Sequence, residues 1–308
     1  MLIALAGAVA AARAAADEVL APPPPGQIYH AANPGFGHTE DRVTGARIHS
    51  FERRAGKRIA WAYFSNNWTH GVDFPARQVA AIEAAGRIPF IRMEPRSNFR
   101  SGGPDPRYDM QSILDGDWDL PSRGSDGLID WCRQAAAVGG PLLVEFGTEV
   151  NGSWFPWNGR WNGGGGTTGY GDPLLPDGPE RFRDAFRHVV DVCRLAGADD
   201  ITWFFHVDVG GAPAAGWNDI ANYYPGDDYV DWIGISDYGS LSPRYPWQDF
   251  GRRFDRVRDE IGSLGDKPLA VLETGVREDD GRPGRKAAWT RRTLREIRTR
   301  YPEIRAVS

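Results

Sequence analysis

The chain has 308 residues, a formal net charge of −5, 12 tryptophans and two cysteines. With 36 basic against 41 acidic residues and no basic block, it offers no patch for nucleic acid or for an anionic membrane surface, so the expected partner is uncharged. A length of this order suits one large α/β domain with a sizeable core.

The first residues, MLIALAGAVAAARAAAD, carry a short apolar run followed by small residues. Residues 1–16 are therefore expected to be a secretory signal, too short to span a bilayer, and the protein is expected to be secreted or periplasmic. Residues 17–26, with Pro22 to Pro25, are expected as a stiff extended spacer, and the folded domain over 27–308. The spacing predicts a first strand at Gln27 to Ala31 and a helix from Thr39 to Ala55, stopped by Gly56. A second strand from Arg58 to Ser65 runs out at Asn66, Asn67 and Trp68. Pro75 and Gly86 bracket the next helix, and a third strand from Ile88 to Met93 ends at Glu94. A helix from Asp126 to Val138 turns Leu128, Trp131 and Ala135 inward.

Leu142, Leu143 and Val144 open a fourth strand. Side chains alternate along a strand, so Leu143, Glu145, Gly147 and Glu149 are expected on one face. Behind Glu149 come Asn151, Trp154, Phe155, Trp157 and Trp161, an amide and flat rings that suit the hydroxyls and faces of sugars. Taken alone, Glu149 also fits a structural acid paired with an arginine. The glycines at 163–166 lack the Lys-Ser/Thr pair of a phosphate loop and read as a plain connection. Pro179 and Gly197 bracket a helix; strands follow at Ile201 to Val207, ending with His206 and Asp208, and at Tyr229 to Ser236, ending with Asp237 and Tyr238. A helix from Trp247 to Ile261, a strand from Pro268 to Glu273 and a helix from Arg285 to Arg300 lead to Ile304 to Ser308, the start of an eighth strand. Cys132 and Cys193 fall on apolar helix stripes and are expected as buried free thiols. Neither has metal-site spacing, and no cofactor is expected.

This alternation predicts the α/β class and a (β/α)8 TIM barrel, apparently truncated in strand eight, with a monomeric chain. Its carboxyl-end face would gather Asn66, Glu94, Glu149, His206, Tyr238 and Glu273. Arg92 and Glu145 sit lower on neighbouring strands and read as a barrel-core ion pair.

The segment EVNGSWFPW from Glu149 to Trp157 resembles the acid/base signature of glycoside hydrolase family 26, and KPLAVLETG around Glu273 resembles the strand-seven nucleophile of the same clan. The resemblance runs in element order from Gln27 to Ser308. It implies a retaining hydrolase with Glu149 as general acid/base, Glu273 as nucleophile, Trp154 lining the cleavage subsite and Tyr238 hydrogen-bonded to the nucleophile. Thr148 departs from the family's histidine and Glu145 from its arginine; a strand-eight aromatic and a last helix are absent after YPEIRAVS. The expected substrate is a neutral polysaccharide, first β-1,4-mannan, with mixed-linkage β-1,3-1,4-glucan or β-1,3-xylan as alternatives, and a non-catalytic carbohydrate-binding protein as the alternative of another class. Asn151, Trp157, Trp68, His206 and Glu94 complete the expected sugar-contacting set.

Overall fold

The computed structural model describes residues 19–122 and 124–308, so the expected signal lies outside the described residues. Eight parallel strands form one sheet: β1 (Tyr29–His30), β2 (Trp61–Asn67), β3 (Ile88–Glu94), β4 (Leu142–Phe146), β5 (Ile201–Asp208), β6 (Trp232–Ser240), β7 (Leu269–Val276) and β8 (Ile304–Val307). Their order is β1-β8-β7-β6-β5-β4-β3-β2. The sheet curls until its edges meet. Ala32 bridges Ala62, the Ala60 amide donates to the His30 carbonyl at 2.7 Å, and Tyr63 donates to Ala32 at 3.0 Å. This is the expected (β/α)8 architecture. The four residues of β8 pair with both β1 and β7, so the edge that an unclosed eighth strand would have exposed is covered.

The longer helices lie outside the sheet. They are α1 (Gly45–Ala55), α2 (Ala76–Ala84), α3 (Met110–Leu114), α4 (Gly127–Ala136), α5 (Asp177–Leu195), α6 (Ile220–Tyr223), α7 (Phe250–Phe254), α8 (Arg258–Gly262) and α9 (Arg285–Arg300). α1 starts later than the apolar spacing suggested, because Thr44 caps it by accepting from the Arg47 amide at 3.3 Å. The single helix expected over Trp247 to Ile261 is two short ones, α7 and α8.

Barrel parity sorts the inward residues into layers. Trp61, Phe90, Leu143, Phe204 and Trp232 fill the lower interior, with Phe204 stacked on Trp232 at 5.6 Å and Phe90 4.6 Å from Phe204. Two residues further along the same strands stand Tyr63, Arg92, Glu145 and His206, a polar layer under the mouth. Leu20, in the segment expected as a stiff extended spacer, lies beneath this plug. Leu20 packs on it, its amide donates to Thr202 Oγ1 at 2.7 Å, and its carbonyl accepts from Trp232 Nε1 at 2.8 Å. The expectation of free thiols is also overturned: Cys132 of α4 and Cys193 of α5 form a disulfide, with Cα atoms 4.8 Å apart. The two apolar stripes face each other, which brings the buried sulfurs together across 61 residues of sequence.

Candidate active site

Glu149 reaches the mouth of the barrel through a turn, not along the strand. β4 stops at Phe146, and Gly147 follows at φ +69°, where a Cβ would lie 2.8 Å from the Phe182 ring and 3.1 Å from Trp157. Glu149 itself takes φ +46°, a conformation non-glycine residues adopt rarely and that recurs at functional sites. The turn is pinned by Val150 donating to the His206 carbonyl at 3.1 Å and Gly152 donating to the Glu149 carbonyl at 2.8 Å. A Cβ on Gly152 would fall inside the Trp154 indole, and the missing side chain lets that ring fold back. Trp154 Nε1 then donates to Glu149 Oε2 at 2.6 Å.

Glu273 arrives by a different device. On β7 the parity that turns Ala270 and Leu272 inward would send Glu273 outward. The β6–β7 ladder shifts register there, pairing Ile235 with Val271 but Ser236 with Glu273, and this bulge re-aims the acid into the barrel. Tyr238, at the end of β6, donates its hydroxyl to Glu273 Oε2 at 2.7 Å. Arg92 Nη2 lies 2.8 Å from Glu273 Oε1. The Arg92 guanidinium also reaches Glu145 Oε1 at 3.1 Å, Glu40 Oε2 at 2.6 Å and Thr148 Oγ1 at 2.9 Å. The expected Arg92–Glu145 pair is thus present, register partners on β3 and β4, but the same arginine also serves Glu273.

Burial and charge separate the ionisable groups. Burial first, then the nearby charges of Glu273 and Asp208, pushes Glu149 up to about 7. Burial would likewise raise Glu145, yet His206, Arg92 and Tyr63 outweigh it and hold its carboxyl below the usual range. Burial would lower His206, and Glu145 reverses this, so the imidazole rises above its ordinary value. Asp237 is pushed up to about 7 by burial, against the Arg253 guanidinium 2.7 Å away.

The sequence-predicted residues divide into two groups. Glu149, Glu273, Trp154 and Tyr238 are brought together at the mouth. Trp68, Trp157, His206, Glu94 and Asn151 are buried, so they brace the walls instead of offering surface to a sugar. Trp157 donates to the Thr148 carbonyl, Glu94 pairs with Arg96 at 2.8 Å, and Asn151 clamps both backbone groups of Asp208 at 2.8 Å. Sequence reasoning missed Tyr63, Glu40 and Ser236. For Ser236 a signal existed, since it lies two residues before Tyr238 and shares its face of β6.

A cavity of about 380 Å³ opens beside Glu273, lined by Asn33, Glu40, Arg92 and Tyr238 among others. A larger one, about 740 Å³, lies at the opposite end of the strands around Ile233, Arg258 and Leu269, away from both acids. Among the described residues no group of three or more His, Cys, Asp or Glu side chains could hold a metal ion. The mouth thus combines a carboxyl kept protonated into the neutral range with a second carboxyl that accepts from the Tyr238 hydroxyl and faces the Arg92 charge, a pairing suited to proton donation opposite nucleophilic attack.

Residues 112–256 match the model of glycosyl hydrolase family 26. Over 261 residues the chain is 26% identical to Endoglucanase H of Acetivibrio thermocellus, an alignment covering 83% of this chain and 25% of that protein. The chain therefore spans about a quarter of the length of that curated relative. Among solved structures it is similar to the Bacillus subtilis mannanase man26, at 17% identity and a TM-score of 0.56, covering 92% of this chain and 80% of that one. It is also similar to a double mutant of the Cellulomonas fimi endo-β-1,4-mannanase, at 19% and 0.57, covering 92% and 65%. A third is the β-mannanase of a symbiotic protist of the termite Reticulitermes speratus, solved with a gluco-manno-oligosaccharide, at 17% and 0.55, covering 85% and 84%. At these identities the structural likeness is one of fold.

Proposed function

We propose that this chain, whose residues 112–256 match the model of glycosyl hydrolase family 26, is a retaining endo-β-glycanase that cleaves a neutral polysaccharide, with Glu149 as general acid/base and Glu273 as nucleophile. The observation that carries this reading is the contrast between the two acids at one barrel mouth. Glu149 is raised to about 7 by burial and neighbouring charge, while Glu273 accepts from Tyr238 and faces Arg92. In the first step Glu273 attacks the anomeric carbon as the Glu149 proton passes to the leaving sugar oxygen. In the second, Glu149 takes a proton from water, whose oxygen displaces Glu273 from that carbon. Trp154, anchored on Glu149, presents its ring beside the bond being cut.

β-1,4-Mannan is the first substrate, supported by the mannanase neighbours; a β-glucan is the second, supported by the endoglucanase relative. The buried Cys132–Cys193 disulfide supports an exported protein working on polymer outside the cytoplasm. Cell fractionation tests that address: protein confined to the cytoplasm with reduced thiols would contradict it.

The test of function is reducing-sugar release from mannan, mixed-linkage glucan and β-1,3-xylan by the wild type, Glu149→Ala and Glu273→Ala. Release from one polymer, abolished in both variants, with β-configured product first seen by NMR, is the expected result. A folded wild type that is silent on all three but retained on a polysaccharide affinity gel would make it a binding protein instead.

A further inference from the structure

Among the described residues two that are not glycine take positive φ, and both are glutamates at the barrel mouth: Glu149 at +46° and Glu40 at +55°. Glu40 lies in the loop after β1, and its backbone is held from both sides. Its amide donates to the Gly37 carbonyl at 3.2 Å, its carbonyl accepts from the Ser65 amide at 3.1 Å, and Asn67 Nδ2 donates to the Thr39 carbonyl at 3.1 Å. These contacts fix a conformation that glutamate disfavours, a pattern that recurs where a side chain is aimed at a ligand.

The Glu40 side chain is engaged through one oxygen. Oε2 takes the Arg92 guanidinium at 2.6 Å and the Ser65 hydroxyl at 3.0 Å, whereas Oε1 has no partner among the described residues and the side chain is 41% exposed. Arg92 also faces Glu145, Glu94 and Glu273, so its charge is balanced without a fourth acid. A counter-ion alone has no need of an open oxygen. Glu40 lines the cavity of about 380 Å³ together with Glu273, Tyr238 and Tyr63, and the lining includes neither Glu149 nor Trp154. The cavity thus lies on the side of the sugar that becomes bonded to Glu273, away from the group that supplies the leaving sugar's proton.

A carboxylate oxygen accepts hydrogen bonds and donates none, which makes Oε1 the complement of a sugar hydroxyl. Its charge strengthens that bond and disfavours a sugar acid in the same place. We propose that Glu40 is a specificity-determining residue: its Oε1 accepts from a hydroxyl of the neutral sugar that Glu273 attacks. Because Arg92 and Ser65 already hold the carboxylate, little side-chain freedom is lost when the sugar arrives.

The inference rests on the reading of Glu273 as nucleophile, and the experiment separates the two. kcat/KM is measured for wild type, Glu40→Ala, Glu40→Gln and Glu273→Ala on a dinitrophenyl disaccharide built from the cleaved polymer's sugar. The same is done on analogues that lack one hydroxyl at a time in the sugar bonded to dinitrophenol. In the wild type, deleting the hydroxyl that Glu40 takes should cost about tenfold or more, the worth of one hydrogen bond to a charged group. In Glu40→Ala the same deletion should cost nothing further. Glu40→Gln keeps the shape and can turn its oxygen to Arg92, presenting an amide in place of Oε1, so there the cost should shrink while the fold is kept. If Glu40→Ala fails to fold, Glu40→Gln carries the comparison. A residue that only steadied Arg92 would lower kcat/KM on every analogue by one common factor, and equal deletion costs in wild type and variants at every hydroxyl would overturn the proposal. Activity kept by Glu273→Ala would remove the nucleophile, and the proposal with it. An inactive Glu273→Ala beside equal deletion costs would refute Glu40 alone.

Discussion

Arg92 joins acids of three strands and a loop: the buried Glu145 and Glu94 and the partly exposed Glu273 and Glu40 all lie within 4.0 Å of its guanidinium. Residue types at alternate positions made the Arg92–Glu145 pair legible, whereas the link to Glu273 depends on a strand four places away along the sheet. Removing the arginine would leave the buried Glu145 to His206 and Tyr63 and take from the buried Glu94 one of its two cations. Arg92→Ala should lower stability by about 3 to 5 kcal/mol, read from urea unfolding, and Arg92→Lys should recover only part of it, because one ammonium cannot make a forked set of contacts. A kcat of Arg92→Lys equal to wild type would show that the fork is not needed for turnover. The pH dependence follows from Glu149. Its proton is present below about 7 and is lost as pH rises through that value, so kcat/KM on polymer should fall about tenfold per unit above it. The stability linkage has the same sign. With an ordinary value of 4.5 and a folded value of about 7, Glu149 contributes stability that is whole below about 4.5 and gone above about 7. A kcat/KM flat from pH 6 to about 9 would sink the assignment.

Two local elements place the acids, and neither follows from strand alternation. The turn after β4 puts Glu149 at positive φ, and the bulge on β7 brings Glu273 inward. The motif EVNG contained the first device in the form of its glycine, whose reason becomes visible only when the Trp154 ring is seen lying where a Cβ would stand. Gly152→Ala should therefore act on Trp154 and so on Glu149, lowering kcat/KM on polymer about tenfold or more through the lost 2.6 Å hydrogen bond. Fluorescence and turnover measured together would check it: unchanged activity with an unchanged tryptophan spectrum would mean that the turn absorbs the methyl group. The disulfide was equally hidden. Each cysteine reads as a buried apolar residue of its own helix, and pairing requires knowing that α4 and α5 lie side by side.

At the scale of the molecule, the aromatic plug of Trp61, Phe90, Phe204 and Trp232 closes the floor of the barrel, and residues before β1 complete it. A chain beginning at Gln27 would lose Leu20 and leave the Trp232 N–H without its carbonyl. Relative to a chain beginning at Asp17, it should be less stable by about 2 kcal/mol, seen as a lower Tm. Equal melting temperatures would return this segment to the role of a spacer. The sequence by itself determined the class, the order of strands and helices, and which end of the barrel collects acids, because hydrophobic periodicity and the polar residues at strand ends are local properties of the chain. It also offered Glu149, Glu273, Trp154 and Tyr238 as a group, through three separate short motifs that resemble those of one glycoside hydrolase family. Only the tertiary structure decided that Arg92 reaches Glu273, that the cysteines are joined, and that Trp68, Trp157 and His206 are buried. Those outcomes depend on strand register, on one bulge and on which faces of distant elements meet, and a one-residue shift in any of them would have placed the same side chains elsewhere.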